Sequence, residues 1–449
     1  TQDADGDGVP EWQDDRQTGY AAFPMFAPGR DWAQGAFIRT AETPDLLAYL
    51  IAEAKALQQV AAKIRDKVAK KEFSAHEKDL RKKLADFWEG DHYATRDRDT
   101  NITTTGMTLL EEGQGDLEHL LNQPLAAPNR LIIRIIGGVK HVPTIRLTVE
   151  GLDADGNAIT ETATSEQFIW QNRNGVYTTN AVFSKVNRVF CEGLSRVYTI
   201  TATSMDTTGV DILALMPLWA GGLNKSQRTK LAALALSDQF LRSNGITMTS
   251  TAGEHFDPSN AEGAGGVWMY WQVLLGEGLL QAGYAEDAAK ITQRILDLLV
   301  TVLQEQHQFA QFYHSDEPIA LSEKGHSSGI APLRLLNALF GIRIHSTGSV
   351  WLSKEFAWGQ PITIVQHGVR VKRNSDTISV DFPSGYGVKI EAPLQEDQRI
   401  EDPDAAPALT FAEIKLEQTA PAAANPPEVA EDALAPEAPR IIIEVEREE

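Results

Sequence analysis

Chemistry is densest in the first fifteen residues. Asp3, Asp5 and Asp7 alternate with Ala4 and Gly6, and Gly8, Val9, Glu11 and Asp14 follow. A calcium loop uses this spacing: carboxylates at its first, third and fifth places, then a glycine, with Val9 offering a carbonyl at the seventh, Glu11 at the ninth and Asp14 at the twelfth. Asp14 is one methylene shorter than the glutamate usual at the last place. Carboxylates this close repel one another until a cation neutralises them. The expected metal ligands are therefore Asp3, Asp5, Asp7, Val9, Glu11 and Asp14, and the expected cofactor is Ca2+. A solvated acidic terminus is the plainer alternative.

A second set of residues is aromatic. Trp12 sits between Glu11 and Gln13, Tyr20 follows Gln17-Thr18-Gly19, Phe23-Pro24-Met25-Phe26 comes next, and Trp32 precedes Ala33-Gln34-Gly35. Rings that stack on the apolar faces of sugars, set beside amides and carboxylates that bind hydroxyls, make a saccharide site; the same rings also make small satellite cores. Further along, Trp268, Tyr313, His314 and His326 lie in loops or at expected helix starts. The candidate substrate-binding residues are Trp12, Tyr20, Trp32, Trp268, Tyr313, His314 and His326. Trp268 and Trp271, three apart on a helix, serve a core equally well, and neither histidine has the partners of a metal site. Gly325-His326-Ser327-Ser328-Gly329 has only the outline of a nucleophile elbow, and no strand precedes it.

These residues need a scaffold. Apolar residues from Leu46 to Val68 recur at helical spacing behind Thr43-Pro44, a cap followed by proline, and Ser74 with Glu77 forms a capping box for a second helix. The two predict an antiparallel helical hairpin. Residues 129–216 alternate instead: Leu131 to Ile136, Thr144 to Glu150, Ala181 to Val189 and Val197 to Thr203 read as strands, with Asp153 to Asn157 as a hairpin turn. Helical pattern returns at Asn224 to Leu241, Val267 to Leu280, Ala285 to Gln304 and Gly329 to Phe340, and alternation returns from Ile362 to Ile390. Residues 402–440 hold seven prolines and twelve alanines, too little apolar surface to stay folded, and end in the strand former Ile441-Ile442-Ile443-Glu444-Val445, suited to adding to a sheet edge.

Several blocks in order resemble one family. Trp88 to Asp99, Pro217-Leu218-Trp219-Ala220-Gly221, Gly266-Val267-Trp268 and Gly325 to Leu333 together resemble the C-terminal half of glycoside hydrolase family 63-like proteins, the processing α-glucosidases and mannosylglycerate hydrolases. The resemblance spans roughly residues 1–390 and implies a mainly α fold, a partial (α/α)6 toroid with an inserted antiparallel β domain and a C-terminal β unit. The implied organisation is a calcium loop and first helical hairpin in 1–128, the β domain in 129–216, the remaining toroid helices in 217–350, the β unit in 351–395 and an acidic Pro/Ala-rich tail with a terminal strand in 396–449. It also implies a general acid where Thr18-Gly19-Tyr20-Ala21 has Ala21, and a base where Phe309-Ala310-Gln311-Phe312 has Gln311. An inverting glycosidase needs a carboxyl at each place, and neither alanine nor glutamine transfers the proton. Catalysis is therefore expected to be lost, with Glu11, Asp14, Asp257, Asp316 and Glu317 as fallback acids, Asp257 and Glu317 foremost. Half a toroid would expose apolar helix faces, so an upstream polypeptide or a homo-oligomer is the expected partner, besides a glycan.

Composition narrows the classes. The net charge of -21 is concentrated at the ends: residues 1–15 hold six acids and no base, and 391–449 hold sixteen acids and four bases. The nearly neutral body has no basic face for nucleic acid, and no apolar run approaches the length of a membrane span. Cys191, the one cysteine, can form no intrachain disulfide. A start at Thr1 suggests removal of an upstream segment, by signal cleavage, proteolysis or design, and the first reading is an extracytoplasmic, calcium-stabilised protein, secreted or at the cell surface. Two other readings stay open: an assembly protein that reuses the toroid as scaffold, with 402–449 as its arm, and an active α-glycosidase with displaced acids.

Overall fold

The computed structural model describes residues 3–20, 22–137, 142–171, 173–323 and 332–405, together with the backbone of the strand Ile442–Glu444. Two compact units divide at Leu333 and Arg334.

Among the described residues of the first unit, six α-helices alternate with loops and sheets. Helix α1 (Pro44–Lys63) starts at the Thr43 cap with proline in its first turn. Arg65 then takes a left-handed conformation (φ 62°), and the Asp66 carboxylate accepts from the Val68 and Ala69 amides to start α2 (Lys67–Ala85). The short α3 (Pro217–Ala220) is followed by α4 (Lys225–Ala235), α5 (Met269–Ala282) and α6 (Ala285–Gln306). Helix α1 packs on α2 and α3, α3 on α5, and α5 on α6. Gly278 permits the α3–α5 approach, because a Cβ there would lie 2.9 Å from the Trp219 backbone nitrogen.

Between α2 and α3 lies the β domain. One antiparallel sheet has the order Ile169–Gln171, Asn174–Thr178, Leu131–Gly137, Tyr198–Ser204, Thr108–Gln114; the other has Leu117–Asn129, Phe183–Glu192, Arg146–Leu152, Ala158–Thr164. Leu131, Ile133, Ile135, Leu147 and Val149 are buried, as period-two alternation requires, while Val186 and Val189, three apart, are both buried because the register shifts between Val186 and Arg188. Arg130, fully buried, donates to Asp97 at 2.6 Å and also pairs with Asp99, which anchors the domain to the segment after α2.

The second unit contains a three-stranded sheet (Ile342–Ser346, Ser349–Leu352, Gln398–Glu401) and a meander of Ile362–Gln366, Val369–Arg373, Thr377–Asp381 and Gly387–Glu391. Ile442–Glu444 pairs antiparallel with Ile362–Gln366 at the meander's edge. Helix α7 (Pro332–Phe340) crosses the division.

The mainly α, partial-toroid expectation is overturned. Helix accounts for 29% and strand for 30%, with seven α-helices among the described residues. Strand structure extends further than residues 129–216 suggested, since Thr108–Gln114 and Leu117–Asn129 are already strands. The loops between helices also close with short two-stranded pairings. The second helix likewise starts at Lys67, not Ser74, because Asp66 supplies its cap. Among the described residues no helix is long and apolar enough to cross a membrane.

Candidate functional site

Four of the aromatic candidates fall into two packed settings. Gly19, left-handed at φ 83°, turns the chain after a 3-10 helix so that Tyr20 enters the core. Its hydroxyl donates to the Gly263 carbonyl at 3.1 Å, and its ring stands edge-on to Phe23 and Trp268 at 4.4 and 4.8 Å. Trp268 stacks on Phe312 at 4.5 Å and donates to the same Gly263 carbonyl at 3.1 Å. The strands Val267–Trp268 and Phe312–Tyr313 pair, and the Tyr313 hydroxyl accepts from the Ala310 amide at 2.8 Å. Tyr20, Trp268 and Tyr313 are all buried, with faces covered and polar atoms paired. Trp12 lies apart, donating to Asp45 at 3.1 Å and standing edge-on to Tyr49.

The remaining candidates scatter. The Gln311 amide donates to the Ser322 hydroxyl at 2.7 Å, and its carbonyl accepts from Met269. His314 Nδ1 accepts from the Asp316 and Glu317 amides, so it holds a turn. Asp257 accepts from the Ser259 amide and hydroxyl at 2.9 and 2.7 Å, Asp316 pairs with Arg242 at 3.0 Å, and Glu317 is exposed. Ala21 and His326 lie outside the described residues.

The acidic loop does assemble. Asp3 accepts from the Gly6 and Gly8 amides at 2.8 and 3.0 Å, Asp7 from Val9 at 2.7 Å, and Glu11 from Ala4 at 3.1 Å. Carboxylate oxygens of Asp3, Asp5 and Glu11 lie within 4.8 Å of one another, as do those of Asp5, Asp7 and Glu42. Asp14 stands elsewhere, paired with Arg16 at 2.6 Å and capping the 3-10 helix. Glu42, which no spacing rule marks, is fully buried; one oxygen accepts from Arg96 at 2.5 Å and the other has no partner. Burial raises the Glu42 carboxyl to about 8 and the Glu11 carboxyl to about 7; Arg96 opposes the rise at Glu42, while Asp7 and Asp5 add to it. An orphaned oxygen in a crowd of carboxylates fits a hard cation bound by oxygen ligands.

A cavity of about 310 Å3 lies in the same unit, lined by Met25, Gln34, Asp206, Asp211, Glu254 and Phe256 among others. Asp211 caps a 3-10 helix, accepting from the Leu213 amide at 2.9 Å, and is 6% exposed. Burial pushes its carboxyl up to about 8, so at neutral pH it holds its proton. Sequence reasoning missed Asp211 because an aspartate before an apolar run reads as a cap, which it also is.

Residues 159–319 match the family model described as the mannosylglycerate hydrolase MGH1-like glycoside hydrolase domain. The motif blocks Pro217 to Gly221 and Gly266 to Trp268 lie within that match, so over residues 159–319 the chain is similar to a glycoside hydrolase domain, as the resemblance implied. The mannosylglycerate hydrolase of Thermus thermophilus with bound glucose is similar at 12% identity over 66% of this chain and 48% of that one, with a TM-score of 0.38. Neutral trehalase Nth1 of Saccharomyces cerevisiae is similar at 18% identity over 30% of this chain and 24% of that one, with a TM-score of 0.25. The chain therefore spans about half the length of the hydrolase. No curated protein matches it.

Proposed function

We propose that this glycoside hydrolase-like chain binds a saccharide without hydrolysing it, in an extracytoplasmic setting where calcium stabilises its N-terminal loop. The observation that supports the saccharide reading is the Asp211 cavity, two of whose walls, 203–211 and 249–256, fall within the matched domain, while Pro24, Met25, Gln34 and 106–108 complete its lining from outside it. A protonated Asp211 donates to a sugar hydroxyl, Glu254 accepts from one, and Phe256 offers a ring face. Loss of hydrolysis rests on Ala21 and Gln311 at the places of the expected acid and base. For the cation, Asp3, Asp5, Asp7, Glu11 and Glu42 would supply oxygens, with Glu42 taking the role first expected of Asp14. The ion would neutralise the loop and tie it to the segment that starts α1.

A screen of α-linked disaccharides and aryl glycosides tests this reading. We expect binding by ligand-observed NMR, weakened in Asp211→Asn, and no turnover. Turnover that disappears in Asp257→Asn or Glu317→Gln would overturn the lost-catalysis reading, and no binding by any sugar would remove the saccharide reading.

A further inference from the structure

A second cavity, of about 660 Å3, opens where the loop after Pro28 meets the edge of the five-stranded sheet; Arg30, Trp32, Ile136, Arg173, Asn174 and Glu262 help line it. Its polar groups are short of partners. Asn174 is 7% exposed, and neither its amide nitrogen nor its amide oxygen has a hydrogen-bond partner. One Glu262 oxygen pairs with Arg30 at 2.7 Å, while the other is buried without a partner. Buried polar atoms in native proteins are nearly always satisfied, so orphans clustered at one cavity mark a place where another molecule supplies the bonds.

The wall that carries Trp32 is held in place. The Arg134 guanidinium, on the strand Leu131–Gly137, donates to the carbonyls of Arg30, Ala33 and Gln34 at 2.7, 2.5 and 3.0 Å. Gly29 (φ 85°) lets the loop pass Gln171, whose Cβ would lie 2.5 Å from any Cβ added there. Trp32 remains half-buried at the cavity, in contrast to the enclosed Trp268. An amide with both atoms free and a carboxylate oxygen suit hydroxyls, which donate and accept at once, and an indole ring suits the apolar face of a sugar. Arg30 and Arg173 are balanced by Asp31 and Glu262, so the lining favours no net charge in its ligand.

We propose that this cleft is a binding site for a neutral oligosaccharide chain, separate from the Asp211 cavity, with Trp32 as the stacking platform and Asn174 and Glu262 as its hydroxyl partners. It rests on the saccharide reading above only for the class of ligand. Such a site holds a glycan polymer against the protein and needs no catalytic group.

Affinity electrophoresis of the full chain through gels containing starch, α-mannan, galactomannan or β-glucan, with alginate as the charged control, tests it. Retardation is expected with at least one neutral polymer, at least tenfold weaker in Trp32→Ala and Asn174→Ala, and largely restored in Trp32→Phe. Circular dichroism melts show whether each variant is folded, and the phenylalanine variant keeps the test valid if the alanine variant is not. Retardation by alginate alone, by no polymer, or unaltered in folded Trp32→Ala overturns the inference. Loss in Asp211→Asn with retention in Trp32→Ala overturns it too, while leaving the Asp211 reading standing.

Discussion

Trp268, in the short strand before α5, and Trp32, in a loop of the same unit, meet opposite fates. Around Trp268 the rings of Tyr20 and Phe312 each pack on the indole, and the Tyr20 and Trp268 side-chain donors share the Gly263 carbonyl. Around Trp32 the loop is equally well held, by Arg134, yet the cleft beside it contains an asparagine and a glutamate with unpaired buried atoms. An aromatic residue beside polar groups is therefore no guide by itself. What separates a core from a site is whether the polar atoms beside the ring are already satisfied.

Breaking the closed region should cost most. Trp268→Ala removes a buried ring from a packed cluster and is expected to destabilise the first unit by about 3–5 kcal/mol, read from urea unfolding. A cost near that of an exposed residue would mean that the centre is open in solution, and the contrast with Trp32 would collapse.

Glu42 extends the contrast to the acidic loop, because its unpartnered oxygen resembles the orphans beside Trp32 more than anything around Trp268. At a calcium concentration a hundred times the dissociation constant, stability should rise by about 2.7 kcal/mol. Glu42→Gln should weaken calcium binding measured by titration calorimetry, whereas Asp14→Asn should leave it nearly unchanged. Equal loss in both would restore Asp14 as a ligand.

Asp211 gives a smaller, graded effect. Its ordinary value of 3.8 is raised to about 8 by burial, so the folded chain keeps a proton that the unfolded chain releases. Its contribution to stability is full below about pH 4, falls as pH rises, and levels off above about pH 8, with a slope of at most about 1.4 kcal/mol per pH unit. Asp211→Asn keeps an oxygen for the Leu213 amide and should flatten that part of the curve in denaturant titrations at stepped pH. A slope unaltered in the variant would assign the proton to another buried group.

Four strands of the β domain were legible because alternation is local, and Asp153 to Asn157 turns between Arg146–Leu152 and Ala158–Thr164 as its residue types require; Thr108–Gln114 and Leu117–Asn129, whose apolar residues do not alternate cleanly, were not. The start of α2 was not, since Ser74 with Glu77 satisfies a capping rule, yet Arg65 and Asp66 already end one helix and begin the next. The mainly α expectation came from the resemblance, and it failed because a few ordered motif blocks say nothing of the strands that fill the chain between them. Trp32 was legible as a ring in a polar loop. The closure around Tyr20 was not, because its hydrogen bond to Gly263 joins residues 243 apart. Glu42 and Asp211 gave no spacing signal, since each acquires its role only where separate segments converge.

The smallest expected effect is the most discriminating. Trp32→Ala removes a half-buried ring from the mouth of a cleft whose loop is held by Arg134 and not by the indole. Its unfolding free energy should stay within about 0.5 kcal/mol of the parent, as for surface positions outside packed cores. The same substitution is expected to weaken polymer retention at least tenfold. A stability loss near that of Trp268→Ala would show Trp32 to be a second closed core, and the unpaired atoms of Asn174 and Glu262 would then need bound water to satisfy them.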